Sequence, residues 1–157
     1  MTKVESYQAQ SAVVAPPCAM VIFGAAGDLT KRLVVPALYN LVAARRLSDG
    51  FRLVGVDLAA QTVDEWCKGL ANAMQEFVGK DGEFQIDQLD QDAWRRLAER
   101  MSYLQGDLND PGTYDRLGKH LVKLDKTAGT AGNNLSISPS RTASSEWQSR
   151  ASRLRAS

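Results

Sequence analysis

The chain has 157 residues, a hydrophobic fraction of 44%, a charged fraction of 24% and a net charge of +1, which describe one globular domain with room for a real core. The near-neutral charge argues for no special macromolecular partner. Cys18 and Cys67 lack metal-ligand or CxxC spacing, which excludes a disulfide-stapled scaffold and points to no metal site. The longest apolar run, Cys18 to Ala26, falls well short of the roughly 20 residues of a membrane span, and the stretch from Ser11 to Pro17 is too short and proline-broken for a secretory leader. A cytoplasmic protein with reduced thiols and no membrane or nucleic-acid partner is the expectation.

In chain order, residues 1–17 are polar, then rich in alanine and proline, and read as a loose arm. Ala19 to Phe23 is an apolar run of strand length. Gly24-Ala25-Ala26-Gly27 follows at once and leads into a helical pattern. Asp28 is placed to cap a first short turn, and Pro36 to open a second helix over 36–47, so a broken helix is expected. Ser48-Asp49-Gly50 forms a turn, and Phe51 to Val56 is a second strand that ends on Asp57. Thr62 and Glu65 make a capping box for a helix whose Val63, Trp66, Cys67, Leu70, Met74, Phe77 and Val78 share a face and which ends near Gly79. A third helix spans about 90–100, with a stripe of Ala93, Trp94, Leu97 and Met101. Met101 to Gln105 forms a short third strand, and Asp110-Pro111 opens a helix that buries Tyr114, Leu117 and Leu121.

This alternation implies a parallel sheet with helices on its faces, an α/β doubly wound Rossmann-like fold with the first strand central. About three strands are expected, so the sheet reads as incomplete. From Ser136 to Ser157 the composition shifts to eight serines, four arginines and one acid, putting +3 in the tail and −2 in residues 1–135. The expected organisation is an arm over 1–17, a partial dinucleotide-binding domain over 18–135 and a disordered tail over 136–157. With no fourth strand, one edge of the first would stand unpaired, and poor solubility or partial unfolding is expected.

Strand, glycine turn and helix in that order form the phosphate cradle of dinucleotide-binding folds. A glycine lets the backbone turn tightly, small residues let a pyrophosphate approach, and the N–H groups of the helix start face the anion. The candidate coenzyme residues on this reading are Gly24, Ala25, Ala26 and Gly27. Asp57, 30 residues beyond Gly27, stands where such folds place an acid for the ribose hydroxyls, or else is a plain strand-ending turn residue. Lys31 and Arg32 read as a solvated pair or as phosphate neutralisers. His120, the only histidine, reads as a partly buried or surface helix residue rather than a catalytic base, and no catalytic residue is assigned.

The run Gly24-Ala-Ala-Gly-Asp-Leu-Thr-Lys-Arg32, followed by Pro36-Ala-Leu-Tyr-Asn-Leu41, closely resembles the coenzyme fingerprint that opens glucose-6-phosphate dehydrogenases. Phe51 to Gly55, Tyr103 to Asp107 with Tyr114, and Asn133-Asn134-Leu135 resemble later landmarks of that family's first domain, so the resemblance spans about residues 19–135. It implies hydride transfer from C1 of glucose 6-phosphate to NADP or NAD in the oxidative pentose phosphate pathway. It also implies pyrophosphate held by Gly24 to Leu29, and glucose 6-phosphate bound only in a full-length form. Where most members carry an arginine for the 2′-phosphate of NADP, this chain has Asp57-Leu58, which suits the bare ribose of NAD. Leu33 replaces a basic residue that in the family reaches the reaction site. Family members continue after Leu135 with an apolar strand like FYLAV. A one-nucleotide frame slip converts a sequence of that kind into the SISPSRTASSEW found here, so the fragment is expected to be inactive alone. Two other readings stay open: an atypical short-chain dehydrogenase-like NAD(P) binder with Asp107 facing adenine, and a non-catalytic product with a basic interaction tail. The sequence gives no oligomeric state.

Overall fold

The computed structural model describes residues 16–77, 88–130 and 134–137. The expected arm (apart from Pro16 and Pro17), Val78 and Gly79, and positions 138–157 of the tail lie outside the described residues. Four strands, β1 (Ala19–Phe23), β2 (Arg52–Asp57), β3 (Met101–Gln105) and β4 (Asn134–Ile137), form one parallel sheet in the order β3-β2-β1-β4. The helices are α1 (Val35–Ala43), α2 (Val63–Phe77), α3 (Gln91–Ala98) and α4 (Pro111–Ala128), with a π-helical turn at Thr30–Val34 directly before α1. The α/β architecture and the internal position of β1 agree with the sequence reading.

Period-two alternation divides the sheet into two faces. Ala19, Val21 and Phe23 of β1, with Val54 and Val56 of β2, pack against Tyr114, Leu117 and Leu121 of α4. Ile22 and Leu53 face the opposite way, into a larger core with Leu38 and Val42 of α1, Trp66 and Leu70 of α2, and Trp94 and Leu97 of α3. Burial on both faces explains why β1 and β2 are nearly continuous apolar runs rather than alternating ones.

Three local expectations change. The sheet has four strands rather than about three, because Asn134 to Ile137 pairs with Ala19 to Ile22 of β1. The side of β1 expected to stand open is therefore hydrogen-bonded, and Ser136 and Ile137, assigned to the tail, belong to the sheet. β4 is an edge strand, and its Leu135 is 56% exposed. Secondly, no break separates the glycine turn from α1. Helical backbone runs from Asp28 to Ala43, and Asp28 lies inside it rather than capping it. Proline at the start of α1 has no N–H and its ring crowds the preceding turn. The path instead widens to an i→i+5 bond, with the Val35 N–H donating to the Thr30 carbonyl. Thirdly, α1 ends at Ala43 rather than near Leu47, closing on Arg45 in the left-handed region at φ 55°.

The start signals read for α2 and α4 are satisfied. Thr62 N–H donates to Glu65 Oε2 (2.7 Å) while Glu65 N–H donates to Thr62 Oγ1 (3.2 Å), the reciprocal capping box. These bonds hold the exposed Glu65 carboxyl below its ordinary range. Asp90 caps α3 and Asp110 caps α4, whose Pro111 needs no N–H partner.

Candidate functional site

The glycine turn leaves the C-terminal end of β1 beside the C-terminal end of β2, where ligands bind in open parallel sheets. Gly24 has φ 80°, a conformation that a side chain would strain, and it reverses the chain. Both Gly24 N–H and Ala25 N–H donate to the Val56 carbonyl, at 2.9 and 3.2 Å, fastening the turn to β2. Gly27 N–H donates back to the Gly24 carbonyl (2.9 Å), and Thr30 Oγ1 donates to the same oxygen (3.3 Å). A Cβ on Gly27 would stand 3.1 Å from that carbonyl, so the tight closure favours glycine.

Asp57 meets this turn directly. Its Oδ2 accepts from the Ala26 N–H at 2.8 Å and its Oδ1 from the Ala59 N–H at 3.2 Å. The carboxylate thus ties the glycine turn to the loop after β2. A carboxylate has about four acceptor positions, so these two bonds leave capacity for ribose hydroxyls. The residues fit a dinucleotide: a small-residue turn at a helix start, with an acid one strand away.

The sequence reading missed three supports. Trp66, expected only as core, donates its Nε1–H to the Ala25 carbonyl (3.0 Å) from a 2% exposed position. Gly55 passes beneath that indole, and a Cβ there would lie 2.6 Å from the ring. Tyr103 stacks obliquely on Trp66, with ring centres 5.5 Å apart, and donates its hydroxyl to the Ala59 carbonyl (2.6 Å), while Gln105 donates to the Leu58 carbonyl. Desolvation is the main reason the Tyr103 phenol titrates above its ordinary range. A glycine inside a strand two residues before the acid was the only available signal for these supports.

The remaining candidates divide between the helical continuation of the turn and positions away from it. Asp28 and Leu29 sit in the first helical turn, both exposed. His120 is on α4, with Nε2 2.9 Å from Ser102 Oγ, so it faces β3 rather than the glycine turn. Burial, followed by the charge of Lys123, holds its imidazole below the ordinary histidine range. Burial, with Asp64 nearby, pushes the Cys67 thiol up to about 11, leaving a poor nucleophile. Among the described residues no helix is long and apolar enough to cross a membrane, and no group of three or more His, Cys, Asp and Glu could hold a metal ion.

Comparison with known proteins gives a consistent result. A family model described as "Glucose-6-phosphate dehydrogenase, NAD binding domain" matches residues 21–149. Glucose-6-phosphate 1-dehydrogenase of Chlamydia muridarum is 37% identical over 120 residues, which cover 76% of this chain and 22% of that protein. Glucose-6-phosphate 1-dehydrogenase 2 of Mycobacterium bovis is 35% identical over 121 residues, covering 77% and 22%. The chain thus spans about a fifth of the length of these relatives. Among solved structures, a glucose-6-phosphate 1-dehydrogenase from Mycobacterium avium has a TM-score of 0.60 at 23% identity, covering 88% of this chain and 34% of that one. A glucose-6-phosphate dehydrogenase in complex with glucose 6-phosphate has a TM-score of 0.65 at 19% identity, covering 82% and 25%. At these identities the two structures show a shared fold.

Proposed function

Since the chain belongs to the glucose-6-phosphate dehydrogenase NAD-binding domain family, we propose that it is the coenzyme-binding part of an enzyme oxidising glucose 6-phosphate at C1. The observation that carries this reading is the Asp57 carboxylate on the Ala26 N–H, which ties the turn to the acid. Bound NADP or NAD would supply the hydride acceptor. The chain's own residues would bind and orient it. Gly24 to Leu29 would receive the pyrophosphate at the helix start, and Asp57 would accept the adenosine ribose hydroxyls.

On this reading NAD is at least tolerated. The Asp57 carboxylate, fixed by two N–H donors, repels a 2′-phosphate, and the neighbouring Leu58, 66% exposed, offers that phosphate no cation. The chain works in the cytoplasm without nucleic-acid or membrane partners, and the fragment is inactive by itself. The lone histidine is engaged with Ser102 and does not stand at the turn as a general base. The serine-rich tail reflects a one-nucleotide slip in the gene.

The test is titration of the 157-residue chain with NAD and NADP, followed by activity with glucose 6-phosphate for this chain and for the frame-restored gene product. Saturable NAD binding by the chain, with activity only after restoration, is expected. Absence of binding by either coenzyme would refute the assignment of the turn, and NADP binding far tighter than NAD would refute the role given to Asp57.

A further inference from the structure

At the end of the sheet opposite the glycine turn lies a cleft of about 460 Å³ between the C-terminal ends of α1 and α3. Its walls include Val42, Arg45, Ser48, Asp49, Arg96 and Arg100. The turn around Ser48 precedes β2, and Arg100 precedes β3, so the cleft sits at the N-terminal ends of these strands. The six residues of β2 and five of β3 separate it from the coenzyme edge by about 17–20 Å.

Three guanidinium groups here face a single carboxylate, and that carboxylate is already used. Arg100, whose side chain is 14% exposed, donates to Asp49 Oδ1 at 3.1 Å and to the Ser48 carbonyl at 3.2 Å. Arg96 bonds only back to the Asp92 carbonyl of its own helix, at 3.3 Å. Among the described residues the Arg45 guanidinium has neither a hydrogen-bond nor an ion-pair partner.

Arginines at helix ends commonly serve the last carbonyls, but α1 closes without them. Arg45 N–H donates to the Val42 carbonyl (3.0 Å) and Arg46 N–H to the Leu41 carbonyl (2.9 Å), the paired bonds of a Schellman ending. The residue in the left-handed position of that ending is ordinarily glycine. Here it is Arg45, at φ 55°. The backbone therefore accepts strain at the one position that puts a third cation into the cleft, and sustained strain of this kind clusters at ligand clamps.

We propose that this cleft is an anion site for a small molecule carrying two or more phosphate groups. Planar guanidinium forks pair with phosphate oxygens two at a time, and the volume lies within the range of small-ligand pockets. Arg45 and Arg96 contact the anion, and Arg100 holds the Ser48–Asp49 wall in place.

The test is calorimetric titration of the 157-residue chain with sodium pyrophosphate at low ionic strength, using Arg45→Gly, Arg96→Gln and Gly27→Val variants. Gly27→Val removes any share taken by the coenzyme turn and leaves binding at the cleft, so failure of the coenzyme reading and failure of this one give different results. Arg45→Gly and Arg96→Gln are each expected to weaken cleft binding about tenfold. Because glycine relieves the left-handed strain, Arg45→Gly must do so without lowering the melting temperature, which separates lost contact from lost fold. Citrate, an anion of comparable charge built on carboxylates, is expected to bind more weakly than pyrophosphate. Unchanged pyrophosphate affinity in both arginine variants, or equal affinity for citrate, would overturn the proposal.

Discussion

Substituting Gly55 by alanine places one methyl group where the fold and the candidate site share a wall. The new Cβ would lie 2.6 and 2.8 Å from two atoms of the Trp66 ring and 2.9 Å from Ala25 Cβ. Carbon atoms rest at about 3.5–4.0 Å, so each contact is short by roughly 0.6 Å or more. The indole is 2% exposed and held by its bond to the Ala25 carbonyl, so it has little room to swing aside. Overpacking of this kind costs about 1–3 kcal/mol. If the ring yields, the Ala25 carbonyl loses its donor, at about 1 kcal/mol or more. Removing glycine from a strand returns about 0.5–1 kcal/mol. The expected net loss is about 2 kcal/mol, read as a lower urea midpoint at unchanged slope. NAD affinity should fall too, because Ala25 lies in the turn. Combining Gly55→Ala with Trp66→Phe, which shortens the ring, should lose less than the sum of the single changes. A single-variant loss below about 0.5 kcal/mol, or strict additivity in the pair, would refute the packing argument.

Other substitutions probe separate features. Replacing the exposed Leu58 by arginine should tighten NADP binding about tenfold while leaving NAD within a factor of about two, measured by titration of both coenzymes. Thr113 is fully buried and its hydroxyl has no hydrogen-bond partner among the described residues. Thr113→Val should therefore stabilise the fold by about 0.5–1 kcal/mol in urea unfolding. The His120 imidazole titrates lower in the folded chain than in the unfolded one, so the unfolded state binds more protons just below pH 6.5. Its contribution is fully present above that pH and is lost as pH falls through the folded value. His120→Gln should flatten this part of the stability profile, and an unchanged profile would exclude the histidine as its source.

The sequence was sufficient wherever the controlling interactions are local. The apolar runs of β1 and β2, the glycines that end β1, the reciprocal Thr62 and Glu65 bonds, and the Asp110-Pro111 helix start all depend on residues within a few positions of one another. Asp57 was identifiable as a candidate because it ends a strand, although its partner, the Ala26 N–H, is 31 residues away. Tertiary structure decided the rest. The stretch from Asn134 to Ile137 carries no strand pattern, and it becomes β4 because the backbone groups of β1 on that side need partners. The single helical path through Pro36 required the wider turn to absorb the missing N–H. Trp66 reaches the Ala25 carbonyl across 41 residues, and the ring crosses Gly55 only because β1, β2 and α2 pack as they do. The arginine cleft, too, gathers residues from two helices and a turn that no linear spacing connects. Periodicity and end signals fix which segments become strands and helices, since those energies are summed along the chain. Which backbone groups and side chains meet across the sheet is set by packing, since those energies exist only once distant segments share a surface.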